Sequence, residues 1–247
     1  MEQKCLVLSV KILFTEDDSC VKLAEEEHEH VCSSDDDEYE MSKTGEDQSE
    51  VNKNLKNIHD TILKNDEREF DHLSRFFDKD LLELTNNRGL NSLHLAAKSG
   101  NLKFFQRILV FGLNMKSRVM DGRNCLHIAA YTGSHLVCQF LLENDSSLFL
   151  DKDRYDMNPA HWAALGGQDH ILRLMMEHKC DLLKKTKYGE NLVLFACIGQ
   201  HVSVCKFVKS HEKIKNLLND KNTEGWNSIQ YAAKSGKRCL FKFLVEK

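Results

Sequence analysis

A single proline, Pro159, occurs in 247 residues, beside only twelve glycines. That poverty excludes collagen-like and proline-rich linker architectures. No run of 18 uncharged apolar residues occurs, so the sequence offers no membrane-spanning helix. The nine cysteines, at positions 5, 20, 32, 125, 138, 180, 197, 205 and 239, include no C-x-x-C pair. An odd count without metal spacing reads as reduced intracellular thiols, and the expected compartment is cytoplasmic or nuclear. Also missing are a G-x-S-x-G elbow, a P-loop and a G-x-G-x-x-G turn. The opening stretch CLVLSVKILF (residues 5–14) has the apolar core of a secretion signal, but Lys11 interrupts it and TEDDSC replaces a small-residue cleavage site. It reads instead as a short strand or helix that pairs with a neighbour.

Charge is divided along the chain. Residues 16–50 hold fifteen Asp/Glu against two Lys, and residues 51–247 hold thirty Lys/Arg against twenty-two Asp/Glu. The first block nets −13 and repels itself, so it is expected to be disordered, and the second nets +8. Within the acidic block Ser33 and Ser34 each precede an acidic residue by three positions, an acidophilic phosphorylation pattern. His28, His30 and Cys32 are ligand types, but no second cluster closes a tetrahedral shell, so no metal is expected. The acidic arm has a basic body to contact within the same chain. The basic residues read as scattered, without a stripe, so nucleic acid is not an expected partner.

One phrase is written five times. GLNSLHLAAKSG (residues 89–100) is followed by GRNCLHIAAYTG, DMNPAHWAALGG, GENLVLFACIGQ and GWNSIQYAAKSG at offsets of 33, 34, 33 and 36 residues. Each copy precedes an amphipathic stretch with apolar residues at i, i+3 and i+4, such as Leu102, Phe105 and Ile108–Leu109. Each unit therefore reads as turn, short helix, tight turn, second helix. Gly89, Gly122, Gly189 and Gly225 suit a turn with positive φ, and Asp156 stands in that slot once. The next Asn (91, 124, 158, 191 and 227) suits a helix N-cap. Gly100, Gly133, Gly167 and Gly236 suit a left-handed helix end, with Gln200 in the fourth copy.

The 33-residue period and the L-H-x-A-A core resemble the ankyrin repeat. The resemblance covers residues 86–247 and implies an all-α solenoid of helix-turn-helix units with β-hairpin or loop fingers. The implied units are about 86–118, 119–152, 153–185, 186–221 and 222–247. Residues 54–85 lack the phrase but show helical spacing through Ile58, Ile62, Phe70, Leu73 and Phe77, as a degenerate unit covering the first repeat would. Residues 1–53 form the acidic N-terminal region. The last unit ends at FLVEK without a polar cap, leaving an apolar side to be covered.

His94, His127 and His161 share one repeat position, filled by Leu194 and Gln230 in the last two units. The resemblance implies a structural role, and no nucleophile or metal set accompanies them, so no catalysis and no cofactor are expected. It also implies that function lies on the fingers and the inner-helix face, which recognise a protein partner and no small-molecule substrate. The candidate contact residues are Arg88, Leu90, Met120, Arg123, Tyr131, Arg154, Tyr155, Met157, Lys187, Tyr188, Glu190, Glu224 and Trp226. Aromatic, Met and Arg side chains on variable positions of a constant frame are what interface cores favour. The expected function is that of a protein-binding adaptor. An alternative is the amino-terminal portion of a larger protein, such as an A-type transient receptor potential channel. A third is an inhibitor of Rel-family transcription factors, which ranks last because no paired-serine D-S-G-x-x-S motif is present.

Overall fold

The computed structural model describes residues 46–246, so Ser33, Ser34 and the whole segment 1–45 lie outside the described residues. The first helix, α1 (Glu46–Lys64), buries Leu55, Ile58 and Ile62 at helical spacing. Two short helices follow, α2 (Glu67–Leu73) and α3 (Lys79–Glu83), started by the side chains of Asp66 and Asp78. Phe70 stacks on Phe104 with ring centroids 4.1 Å apart and meets Phe77 edge-on at 5.3 Å. These rings join residues 54–85 to the first unit of the array.

Five helix pairs follow. The inner helices are α4 (Ser92–Ser99), α6 (Cys125–Thr132), α8 (Pro159–Leu165), α10 (Leu192–Ile198) and α12 (Ser228–Lys234). Their partners are α5 (Leu102–Leu109), α7 (His135–Asn144), α9 (Asp169–Glu177), α11 (Val202–Lys209) and α13 (Arg238–Val245). Inner helices stack on inner helices from α1 through α12, and outer helices stack on outer helices, giving two parallel layers. The all-α solenoid expected from the sequence is what forms. Among the described residues there is no named strand, only the isolated bridge Lys221–Asn227.

The Ala pairs explain the close stacking. Ala96, Ala97, Ala129, Ala130, Ala163, Ala164, Ala196 and Cys197 are all fully buried between neighbouring inner helices. All five frame asparagines cap their helices, each side-chain oxygen accepting from a first-turn N–H. The two slots where glycine is missing keep the left-handed backbone, with φ of 65° at Asp156 and 61° at Gln200.

The three histidines are built into this frame. The ring Nδ1 of His94 and of His161 accepts the backbone N–H of Asn91 and of Asn158, at 3.3 and 3.0 Å. Nε2 of His94, His127 and His161 donates to a carbonyl of the segment leading into or forming the next finger: Ser117 O and Lys184 O at the end of the same unit, and Met157 O in the following one, at 3.1, 3.1 and 3.2 Å. A carbonyl only accepts, so Nε2 carries the proton and the rings are neutral. Where Leu194 replaces the histidine, the Asn191 amide reaches Leu217 O at 3.0 Å instead. That carbonyl belongs to the four-residue 3-10 turn Lys215–Leu218, which Ile214 and Leu217 anchor in the core. The segment between the fourth and fifth copies, where the offset stretches to 36 residues, thus holds a replacement tie to the end of its own unit.

Candidate partner-binding surface

Each finger closes by the same hydrogen bond. The N–H of Asn86, Val119, Asp153, Thr186 and Asn222 donates to the carbonyl of Leu90, Arg123, Met157, Glu190 and Trp226, at 2.9 to 3.0 Å. The side chain at the finger's first position then holds the tip. Asn86, Asp153 and Asn222 each accept two tip N–H groups on one oxygen, and Thr186 does so through its hydroxyl. At Val119 no such group exists, and Asp121 takes over by accepting from Arg123 N at 3.1 Å. These finger-base residues went unnoticed in the sequence, although the N-x-x-G, D-x-x-D and T-x-x-G spacing is legible there.

Neighbouring fingers are also tied together. Arg154 N–H donates to Asp121 O at 2.7 Å, and Thr223 N–H to Tyr188 O at 2.9 Å. At the step between, the Asp156 carboxylate accepts Lys187 N–H at 2.6 Å and pairs with Lys152 at 2.7 Å. The residue that breaks the glycine rule therefore supplies a bond the backbone makes elsewhere. Asp156→Ala is expected to cost about 2 kcal/mol, and Asp156→Gly about half of that, because glycine relieves the left-handed strain while losing the bond. Urea unfolding measures both, and faster amide exchange at Lys187 locates the loss.

The finger fold separates the candidate residues. Those just before the turn point outward: Met120, Arg154, Lys187 and Glu224 are exposed, while Arg88, Tyr155 and Tyr188 are half-buried. Those just after it turn inward, because the closing bond aims them at the next unit's inner helix. Leu90, Arg123, Met157 and Glu190 are buried, and only Trp226 keeps a partly open face. Arg123 binds Asp121 at 2.6 Å and lies 4.6 Å over the Trp162 ring, while Trp162 Nε1 donates to Asp153 at 2.7 Å. Tyr131 meets Trp162 edge-on at 5.6 Å. Glu190 accepts from Thr186 Oγ1 at 3.2 Å, and burial raises its carboxyl above the usual range.

The far end of the surface is aromatic and cationic. Trp226 meets Tyr231 edge-on at 5.8 Å, and Lys234 Nζ lies 4.9 Å over the Trp226 ring. Lys187 sits 5.2 Å over Tyr188 in the same manner. Met120, 69% exposed, lies across Gly89 of the preceding finger. A second set of exposed apolar side chains lies on the outer layer: Val110 at 85%, Leu150 at 67%, and Leu136, which helical spacing would have placed on the buried face with Val137 and Leu141.

The buried histidines offer no acid–base chemistry. Desolvation lowers His94 and His161 to about 4 and His127 to about 3, against a small upward pull from their carbonyl bonds. The described cysteines are all free thiols; burial pushes Cys125 up to about 12 and Cys180 to about 11, while Cys239 is exposed. Among the described residues no three His, Cys, Asp or Glu side chains form a metal-sized group.

Residues 93–186 match the family model of ankyrin repeats in three copies. This chain carries ankyrin repeats. The ankyrin array is 29% identical over 148 residues to the transient receptor potential cation channel subfamily A member 1 of Homo sapiens, covering 59% of this chain and 13% of that protein. It is 30% identical over 118 residues to palmitoyltransferase AKR1 of Saccharomyces cerevisiae, covering 46% of this chain and 15% of that protein. Alpha-latrotoxin-Lh1a of Latrodectus hasselti is 27% identical over 170 residues, 68% of this chain and 12% of the toxin. The ankyrin chain thus spans a small fraction of the length of the relatives it matches. Among the described residues, no helix is long and apolar enough to cross a membrane.

Proposed function

We propose that this ankyrin chain binds a protein partner through its finger tips and inner-helix face, and acts by binding without catalysis. The observation that carries this reading is the row of tips held in register. Met120, Arg154, Lys187 and Glu224 stand on fingers whose bases are locked by their own side chains and whose neighbours are hydrogen-bonded. A preformed row loses little conformational entropy on binding. The half-buried rings of Tyr155, Tyr188 and Trp226 supply rigid apolar area between the charged tips. Leu90, Arg123, Met157 and Glu190 shape this face from beneath. The histidines support a non-catalytic role, since both ring nitrogens are already used within the frame.

Proximity labelling with the chain as bait tests the reading. The triple variant M120A/R154A/K187A is expected to lose the partners that the unchanged chain labels while staying folded, since it gives up only exposed contacts such as the Arg154 bond to Met120 O. Retention of the same partners by the variant would refute it.

A second reading is that the chain is a portion of a longer protein, such as an A-type transient receptor potential channel. The similarity to that channel over 59% of this chain, against 13% of the channel, favours it. Sequencing the transcript beyond the codon for Lys247 decides this: apolar segments of about 20 residues would support it, and a stop codon would refute it.

A further inference from the structure

One slot recurs on the inner helices, two residues before each left-handed helix end: Lys98, Tyr131, Leu165, Ile198 and Lys234. It faces the fingers. Lys234 lies over the ring of Trp226 on the fifth finger. Tyr131 meets Trp162, which also touches Arg123 of the second finger and Asp153 of the third. The slot is apolar in the three middle units and cationic in the first and last. Beyond Leu165 and Ile198 stand Gly166 and Gly199 in place of Ser or Thr, so the floor there carries no hydroxyl.

Above this apolar floor the tips are cationic. Arg154 and Lys187 are exposed and Arg88 is half-buried. Among the described residues, no carboxylate lies within ion-pair distance of these three. The acids of the same fingers are already used. Asp121 pairs with Arg123 at 2.6 Å and Asp156 with Lys152 at 2.7 Å. Asp153 and Glu190 are buried on Trp162 and Thr186. Glu224 is exposed, but it stands on the last finger near Lys234, whose pKa burial lowers and this carboxylate partly restores.

Taking the finger surface as the binding face, on which this rests, we propose that its partner is an acidic segment of another protein with apolar side chains between its carboxylates. The carboxylates meet Arg88, Arg154 and Lys187, and the apolar side chains cover Tyr131, Leu165 and Ile198. A basic partner is repelled at the tips, and a second copy docked by the same face would bring two rows of cations together. A nucleic-acid strand carries the right charge but has no aliphatic side chains for Leu165 and Ile198. Three steps of about 10 Å between stacked helices separate the first and fourth fingers, the length of roughly nine extended residues.

Fluorescence anisotropy of the full chain with three labelled twelve-residue peptides tests it. One alternates Asp or Glu with Leu, Phe or Tyr; the second carries Lys at every acidic position, and the third Asn or Gln. At low salt the acidic peptide is expected to bind about tenfold tighter than either, with the advantage shrinking at about 0.5 M salt. The full chain carries a net charge of −4, so its overall charge opposes this preference. R154E/K187E should weaken the acidic peptide about tenfold and strengthen the lysine peptide. K206E/K213E, the same change of charge at exposed positions elsewhere, should do neither. Equal binding of the three peptides, equal losses in the two variants, or equally tight binding of a twelve-nucleotide single strand would overturn the proposal. Labelling with M120A/R154A/K187A separates the two levels. Partners lost from that variant, with no preference for the acidic peptide, would leave the finger surface standing and remove only its acidic partner.

Discussion

Lowering the pH from 7.5 to 5 is expected to remove most of the stability of the array. His94 and His161 are held at about 4, and His127 and His59 at about 3, each lowered mainly by desolvation. The unfolded chain titrates near 6.5, so between about 4 and 6.5 the unfolded state binds protons that the folded state does not. Stability therefore stands in full above 6.5 and falls as pH drops towards the folded values. At pH 5 each histidine costs about 2 kcal/mol, and four cost about 8 kcal/mol, comparable with the whole stability of a domain. Burial raises Asp153 and Glu190, which works in the opposite direction, since the folded state then holds their protons more tightly than the unfolded chain does. Urea unfolding at pH 7.5, 6 and 5 measures the slope. H94Q/H127Q/H161Q should flatten most of it, since Gln230 already fills that slot and accepts Asn227 N–H at 2.9 Å. A slope unchanged in the variant would mean that other groups carry the acid sensitivity.

Gly166→Ala and Gly199→Ala should each destabilise the chain by roughly 3 kcal/mol or more. Neither glycine has positive φ. A Cβ at Gly166 would overlap the carbonyl oxygen of Tyr131 and stand 3.0 Å from its carbonyl carbon, and one at Gly199 would overlap Leu165 O. Backbone from the preceding inner helix cannot swing aside as a side chain would. The first, second and fifth units carry Ser99, Thr132 and Ser235 at this slot, each hydroxyl donating back into its own helix. Ser99→Ala should accordingly cost under about 1 kcal/mol. Thermal unfolding of the three variants compares them directly. Equal losses at Gly166 and Ser99 would show that helix-end capping, not close backbone approach, sets the cost.

The frame was legible in the sequence because every unit needs the same local solutions. Asn at the N-cap, histidine tied to the segment that leads into the next finger and Ala where helices touch recur on a fixed period, and the period itself revealed them. The glycine at 166 was not legible. It differs from the Ser or Thr of other units only because one helix end approaches its neighbour more closely, a property of packing and not of any local motif. The finger surface was half legible. Counting from the turn placed Leu90, Arg123, Met157 and Glu190 at the tips, but the hydrogen bond that closes each finger turns the residue after the glycine inward. Side-chain direction in a hairpin depends on that pairing, which spacing alone does not specify.

The central claim is that the constant frame carries the fold and the finger tips carry binding. The most direct test is the affinity of a partner identified by labelling for two surface variants of equal stability. M120A/R154A/K187A removes the tips, and V110A/L136A/L150A removes the exposed apolar residues of the outer layer. The account predicts that the first weakens binding about tenfold or more and that the second leaves it unchanged. Loss in the outer-layer variant with full binding in the finger variant would contradict it.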